Sequence, residues 1–193
     1  MQNENADTFE LIVDAAISLK DCVMEVLPKT KDTESIVLFE SLVYVFNLTD
    51  VGLYMYKRED LRDVLYDESD GGLLNLLINK LSLIMGMKDA GKFYDERGEY
   101  YGMWYARKEG GSEAALKGFV DLLVFETAGE PQKLCTGLPT VLIGGGFLIG
   151  EQLLTKITVH MPTLAQYELE IYNSLGHTAP LLRWKSKTLT DDY

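Results

Sequence analysis

Leu73-Leu74-Asn75-Leu76-Leu77-Ile78-Asn79-Lys80-Leu81-Ser82-Leu83-Ile84 is a run of 12 residues, 8 of them large and aliphatic. Its apolar positions fall nearly all round a helical wheel, the pattern of a helix enclosed by others. The run is therefore expected to be the buried spine of the core. Outward from it the chain keeps the helical period, and no segment alternates convincingly like a strand. The expected fold is all-α: one domain over residues 1–193, a bundle of about six helices.

Toward the N-terminus, Asp67-Glu68-Ser69-Asp70-Gly71-Gly72 reads as a turn. It is a poor calcium loop, because its third position is Ser69 and its fifth is Gly71, which offers no side-chain oxygen. Residues 8–27 set Ile12, Ala16, Leu19, Val23 and Val26 along one helix face, and Pro28 stops that helix. Asp32 is placed to cap a second helix, with Glu34 favourable in its first turn. That helix is expected to run to about Lys57, with a pattern that could continue to Tyr66. Its seam reads Ile36, Phe39, Val43, Phe46, Asp50, Leu53, so a carboxylate stands where an apolar residue belongs.

Toward the C-terminus, Gly86 and Gly91 flank a break before an aromatic helix, from Asp89 or Lys92 to Lys108, holding Phe93, Tyr94, Tyr100, Tyr101, Trp104 and Tyr105. Gly110-Gly111 ends it. Ser112 caps the next helix, with Leu116, Phe119, Val120, Leu123 and Val124 facing inward, and residues 128–139 form a loop. Residues 140–161 contain Gly144-Gly145-Gly146 and Gly150, which weaken a helix without displacing it ahead of a short strand and turn. Gly146 and Gly150, four apart, would let a neighbouring helix approach closely. A last helix covers 163–175. Residues 176–193 are a candidate docking tail: Leu181, Leu182 and Trp184 are apolar and Arg183, Lys185 and Lys187 basic, suited to the chain's own body or to a second copy.

The totals narrow the function. Thirty acidic against 18 basic residues, a net charge of -12, argue against a direct nucleic-acid ligand. Two cysteines, Cys22 and Cys135, make no disulfide framework and read as buried thiols of a reducing compartment. The acidic, polar start lacks the positive and apolar regions of a secretory signal. The most apolar segment, Leu138 to Gly150, has 13 residues and four glycines, too short to span a bilayer. A cytoplasmic protein without a membrane partner is expected.

Steps of four and three line up Glu40, Tyr44, Asn47, Asp50 and Tyr54 on the second helix. Such a polar stripe lines a cleft with Glu40 and Asp50 as acid and base, or else it is a buried network. A buried carboxylate needs a base, and Arg97, with Tyr101 one turn on, is the candidate partner of Asp50 or Glu40; Asp50 is the first choice. The two histidines, His160 and His177, make no Glu-x-x-His pair, so no metal is expected. The glycine cluster matches no nucleotide loop, no serine sits in a nucleophile elbow, and neither cysteine has a nucleophile's context. No cofactor and no catalytic residue are assigned. The candidate contact residues are Glu40, Asp50, Arg97, Tyr101, Trp104, Tyr105 and Trp184. The expected function is a non-enzymatic helical interaction protein, an adaptor, subunit or inhibitor, contacting a protein partner or a second copy in a homodimer. The alternative is a small-molecule-binding domain or sensor with a pocket between the helix of Glu40 and Asp50 and the aromatic helix 92–108.

Overall fold

The computed structural model describes residues 2–27, 29–55, 57–86, 88–105, 112–127 and 145–175. Among them are seven helices and no strand: α1 (Gln2–Met24), α2 (Lys31–Met55), α3 (Glu59–Leu65), α4 (Leu73–Met85), α5 (Ala90–Tyr105), α6 (Ser112–Thr127) and α7 (Gly145–Ser174). The all-α expectation holds. Buried apolar side chains from all seven join one cluster.

The central helix is α2. Every residue from Phe39 to Thr49 is buried, because α1, α3, α4, α5 and α6 all pack on it. It is long and apolar enough to cross a membrane, but most of that apolar stretch is covered by the bundle. The expected spine, α4, takes a lesser place. Leu73, Leu74, Leu77 and Leu81 are buried, whereas Leu83 is 81% exposed. Apolar residues all round a wheel do not reveal which side is left without a neighbour.

Local chemistry sets the helix ends. The cap of α2 is Thr30, whose Oγ1 accepts the Thr33 N–H at 3.1 Å. Asp32 already lies inside the first turn, two positions past the cap. Rather than continue toward Tyr66, α2 ends at Met55 in a Schellman turn: the Arg58 N–H reaches the Leu53 carbonyl at 2.9 Å and the Lys57 N–H reaches that of Tyr54 at 3.0 Å. Lys57 holds the left-handed position at φ 54°, where glycine is usual. The reversal makes α3 a separate helix. At the end of α4, Gly86 takes the left-handed position with φ 62° and donates its N–H to the Ser82 carbonyl.

The two helices expected over 140–161 and 163–175 are one, α7, which runs through Pro162. Pro162 is exposed, so its ring meets no packed neighbour. It leaves the Thr158 carbonyl without the usual donor four residues on. Helix replaces the strand alternative from Gly145 on, while 140–144, the surroundings of Gly146 and Gly150, and the Gly110-Gly111 stop lie outside the described residues. The turn at 67–72 is formed as expected. The Ser69 N–H binds Asp67 Oδ1 at 2.9 Å, and a Cβ on Gly72 would sit 2.3 Å from the Asp67 carbonyl oxygen.

Candidate functional site

The polar stripe of α2 divides between two sites. At the first, Glu40 faces Arg97 of α5. Arg97 Nε donates to Glu40 Oε1 at 2.8 Å and Nη2 donates to the same oxygen at 2.7 Å. The two side chains are 0% and 3% exposed, so the pair is sealed. Arg97 also lies 5.0 Å from the Phe93 ring centre. Around the pair, Tyr44 stacks on Phe119 at 4.6 Å and tilts against Tyr101 at 5.6 Å. Burial, and then the Glu40 charge, push the Tyr101 phenol well above its ordinary range. Its hydroxyl and that of Ser41 have no hydrogen-bond partner among the described residues. Asn47 is satisfied by its own helix, donating to the Val43 carbonyl at 2.9 Å.

The second site corrects the expected pairing of Asp50 with Arg97. Asp50 pairs with Arg62 of α3: Nε donates to Oδ1 at 2.5 Å and Nη2 to Oδ2 at 3.2 Å. The Asp50 side chain is 15% exposed and that of Arg62 is 32% exposed, so this is a boundary bridge rather than a dry one. The Arg62 guanidinium lies 5.5 Å from the Tyr54 ring centre and 5.9 Å from that of Tyr66. The Tyr66 hydroxyl lies within hydrogen-bond reach of Asp50 and Tyr94; burial, then the Asp50 charge, push its phenol up to about 12. Burial and Tyr66 together raise Tyr94 further.

The remaining candidates separate as well. Trp104 is 7% exposed and is laid so closely on α6 that a Cβ on Gly118 would come within 2.5 Å of the indole Nε1. Tyr100 donates its hydroxyl to the Gly118 carbonyl at 2.8 Å. The aromatic residues of this helix are thus chiefly core, while Lys92, Asp95 and Glu99 are exposed together with Met103, a large apolar side chain 52% exposed. The Tyr105 side chain and Trp184 lie outside the described residues.

The structure therefore brings Glu40, Arg97 and Tyr101 together and sets Asp50 apart. The seam between α2 and α5, where a ligand pocket was the alternative expectation, is filled at these positions by Phe39, Phe93, the ion pair and the tyrosines. A surface cleft of about 380 Å³ opens instead at the turn between α1 and α2, lined by Lys20, Met24, Glu25, Thr30 and Glu34 among others. Its charges are largely matched, since Lys20 contacts Asp21 at 2.9 Å and Glu34 at 3.1 Å.

One polar contact was not legible beforehand. Ser18 of α1 and His160 of α7 share a hydrogen bond of 2.8 Å. Cys22 lies one turn beyond Ser18, its thiol raised chiefly by burial and then by Glu25. The separation of 142 positions between Ser18 and His160 leaves no local signal. Among the described residues no three His, Cys, Asp or Glu side chains converge as metal ligands would.

Comparison with protein-family models, curated proteins and solved structures found no match to this chain.

Proposed function

We propose that the chain is a non-enzymatic helical interaction protein, an adaptor, subunit or inhibitor, working through protein contacts in the cytoplasm. The observation that carries this reading is the Arg62 cluster. Asp50 holds the guanidinium from one side, and Tyr54, 66% exposed, and Tyr66, 36% exposed, present their rings beside it. Tyrosine and arginine are enriched at the energetic centres of protein interfaces because both bury large area and keep a polar end, tyrosine with only two rotors to freeze. Here the arginine is already immobilised, so a partner would meet a surface with part of its ordering cost settled. The net charge of -12 favours a protein partner over nucleic acid and steers it toward basic surfaces. The small-molecule alternative has less support, because water does not reach Glu40, Arg97 or Tyr101.

The test is affinity capture from the native lysate with wild type and with Tyr54→Ala and Arg62→Ala. Tyr54 is exposed, so Tyr54→Ala should leave circular dichroism and melting little changed; Arg62→Ala leaves Asp50, 15% exposed, without its base, so its capture is run at a temperature where circular dichroism shows the variant folded. Loss of one defined partner in both variants supports the reading. Capture indifferent to both substitutions, or a small molecule co-purifying in native mass spectrometry, opposes it.

A further inference from the structure

Glu59, Arg62, Asp63 and Tyr66 follow one another at i, i+3, i+4 and i+7, so they share one face of α3 and of the residue that closes it. Tyr54 extends that face onto α2, because the Arg62 guanidinium lies 5.5 Å from its ring centre and 5.9 Å from that of Tyr66. The two rings, 66% and 36% exposed, are thereby joined into one seat. Asp50 holds Nε and Nη2 of Arg62, and the Tyr66 hydroxyl is within reach of a further N–H. The Arg62 side chain is nevertheless 32% exposed, and a guanidinium has more N–H groups than these two acceptors use.

The charges around the seat are lopsided. Arg58 is answered by Asp60 at 2.8 Å and Arg62 by Asp50. Glu59 and Asp63 are exposed and meet no base among the described residues. Past Tyr66 the chain runs into Asp67, which binds the Ser69 N–H, and into Glu68 and Asp70, both exposed. Against these acids stands the exposed Lys57, whose N–H binds the Tyr54 carbonyl and which therefore lies at the other end of the seat. An incoming segment gains by bringing positive charge to the Glu59 and Asp63 side and loses by bringing acid.

Spacing narrows the form of that segment. Glu59 and Asp63 stand about 6 Å apart along the helix axis. Alternate residues of an extended chain point the same way at a separation of roughly 7 Å, so bases at positions j and j+2 match the two acids. An extended segment also keeps its carbonyls open to the spare N–H groups of Arg62, whereas a helix spends its carbonyls internally.

We propose that the partner meets this face with an extended, exposed segment carrying two bases at positions j and j+2. Their charged ends pair with Glu59 and Asp63, their stems lie on the Tyr54 and Tyr66 rings, and the segment's carbonyls accept from Arg62. This rests on the reading of the Arg62 cluster as an interface and adds the chemistry of its occupant.

A displayed library of random short peptides, panned against the full-length chain at low salt, tests it. Peptides with Lys or Arg at j and j+2 should be enriched over acidic and uncharged ones. Their consensus, synthesised with a fluorophore and followed by anisotropy, should bind severalfold more weakly to Glu59→Gln/Asp63→Asn, to Tyr54→Ala, and to wild type in high salt. The control Glu10→Gln/Asp14→Asn removes the same formal charge from α1 and should leave binding nearly unchanged. All of these variants replace exposed side chains, and each is used only with circular dichroism equal to wild type. Enrichment of acidic or uncharged peptides that still require Tyr54 overturns this inference while the Arg62 surface stands as an interface. Basic peptides weakened equally by the control bind the net charge rather than this face, which also overturns it. Binding indifferent to Tyr54→Ala, or no enrichment at all, overturns the inference, and the first of these counts against the interface as well.

Discussion

Replacing Arg97 by methionine should be among the most damaging single changes in the bundle. Glu40 would keep its place on α2 with 0% exposure but lose the guanidinium that donates to both of its oxygens at 2.7 to 3.1 Å. Removing one member of a sealed pair strands the other charge in a low-dielectric site, at a cost of about 3–5 kcal/mol. A domain of this size shifts its melting point by roughly 2–4 °C per kcal/mol, so a fall of the order of 10 °C is expected. Removing both charges is different: in Glu40→Leu/Arg97→Met neither ion remains to be desolvated, and stability should return to about the wild-type value or exceed it. Urea denaturation of wild type, both single variants and the double variant gives the coupling directly. The reasoning fails if Arg97→Met costs less than about 1 kcal/mol, or if the double variant loses the sum of the singles. Asp50→Ala serves as the contrast. It strands an Arg62 side chain that is 32% exposed and free to hydrate, so its cost should stay near 1 kcal/mol or below.

Three further expectations follow from particular residues. Gly118→Ala would drive a methyl into the Trp104 indole, 2.5 Å away, and should destabilise by about 1–3 kcal/mol, whereas Gly102→Ala, with open space around its Cβ, should stabilise by about 0.4–1 kcal/mol; thermal melts that move the same way for both would contradict the packing. Lys57→Gly should raise the urea midpoint, because Lys57 sits at φ 54° where an L side chain costs roughly 1 kcal/mol or more; a lowered midpoint would show that its side chain matters more than its backbone. Above pH 10 stability should decline, since the folded state holds the phenolic proton of Tyr66 up to about 12, and those of Tyr94, Tyr100 and Tyr101 also above their ordinary value of 10. The unfolded chain gives up those protons first, so this stabilisation is complete below about pH 10 and is lost as pH rises through the folded values; phenolate absorbance rising for all 11 tyrosines together near pH 10, with circular dichroism unchanged, would contradict it.

What the sequence determined by itself was local. Hydrophobic period is a property of neighbours three and four apart, so the α-helical class and most helices were legible without a partner in view. So was the oddity of Asp50, because a charge on an apolar seam is visible as a break in that period, whereas Glu40 was legible only as one member of a polar stripe. What the tertiary structure decided were relations between segments. Glu40 rather than Asp50 meets Arg97 because the rotation of α5 against α2 sets which turn of the stripe it faces, and no periodicity encodes that angle. Asp50 meets Arg62, 12 residues on, because the chain reverses at Lys57, where the usual signal, glycine, is missing. The exposure of Leu83 and the burial of α2 depended on which helices cover which faces, and α7 passes through Pro162 because that turn faces water. Period records which side chains avoid water together; only the assembled bundle decides what shelters them, because burial belongs to pairs of surfaces and not to a single helix.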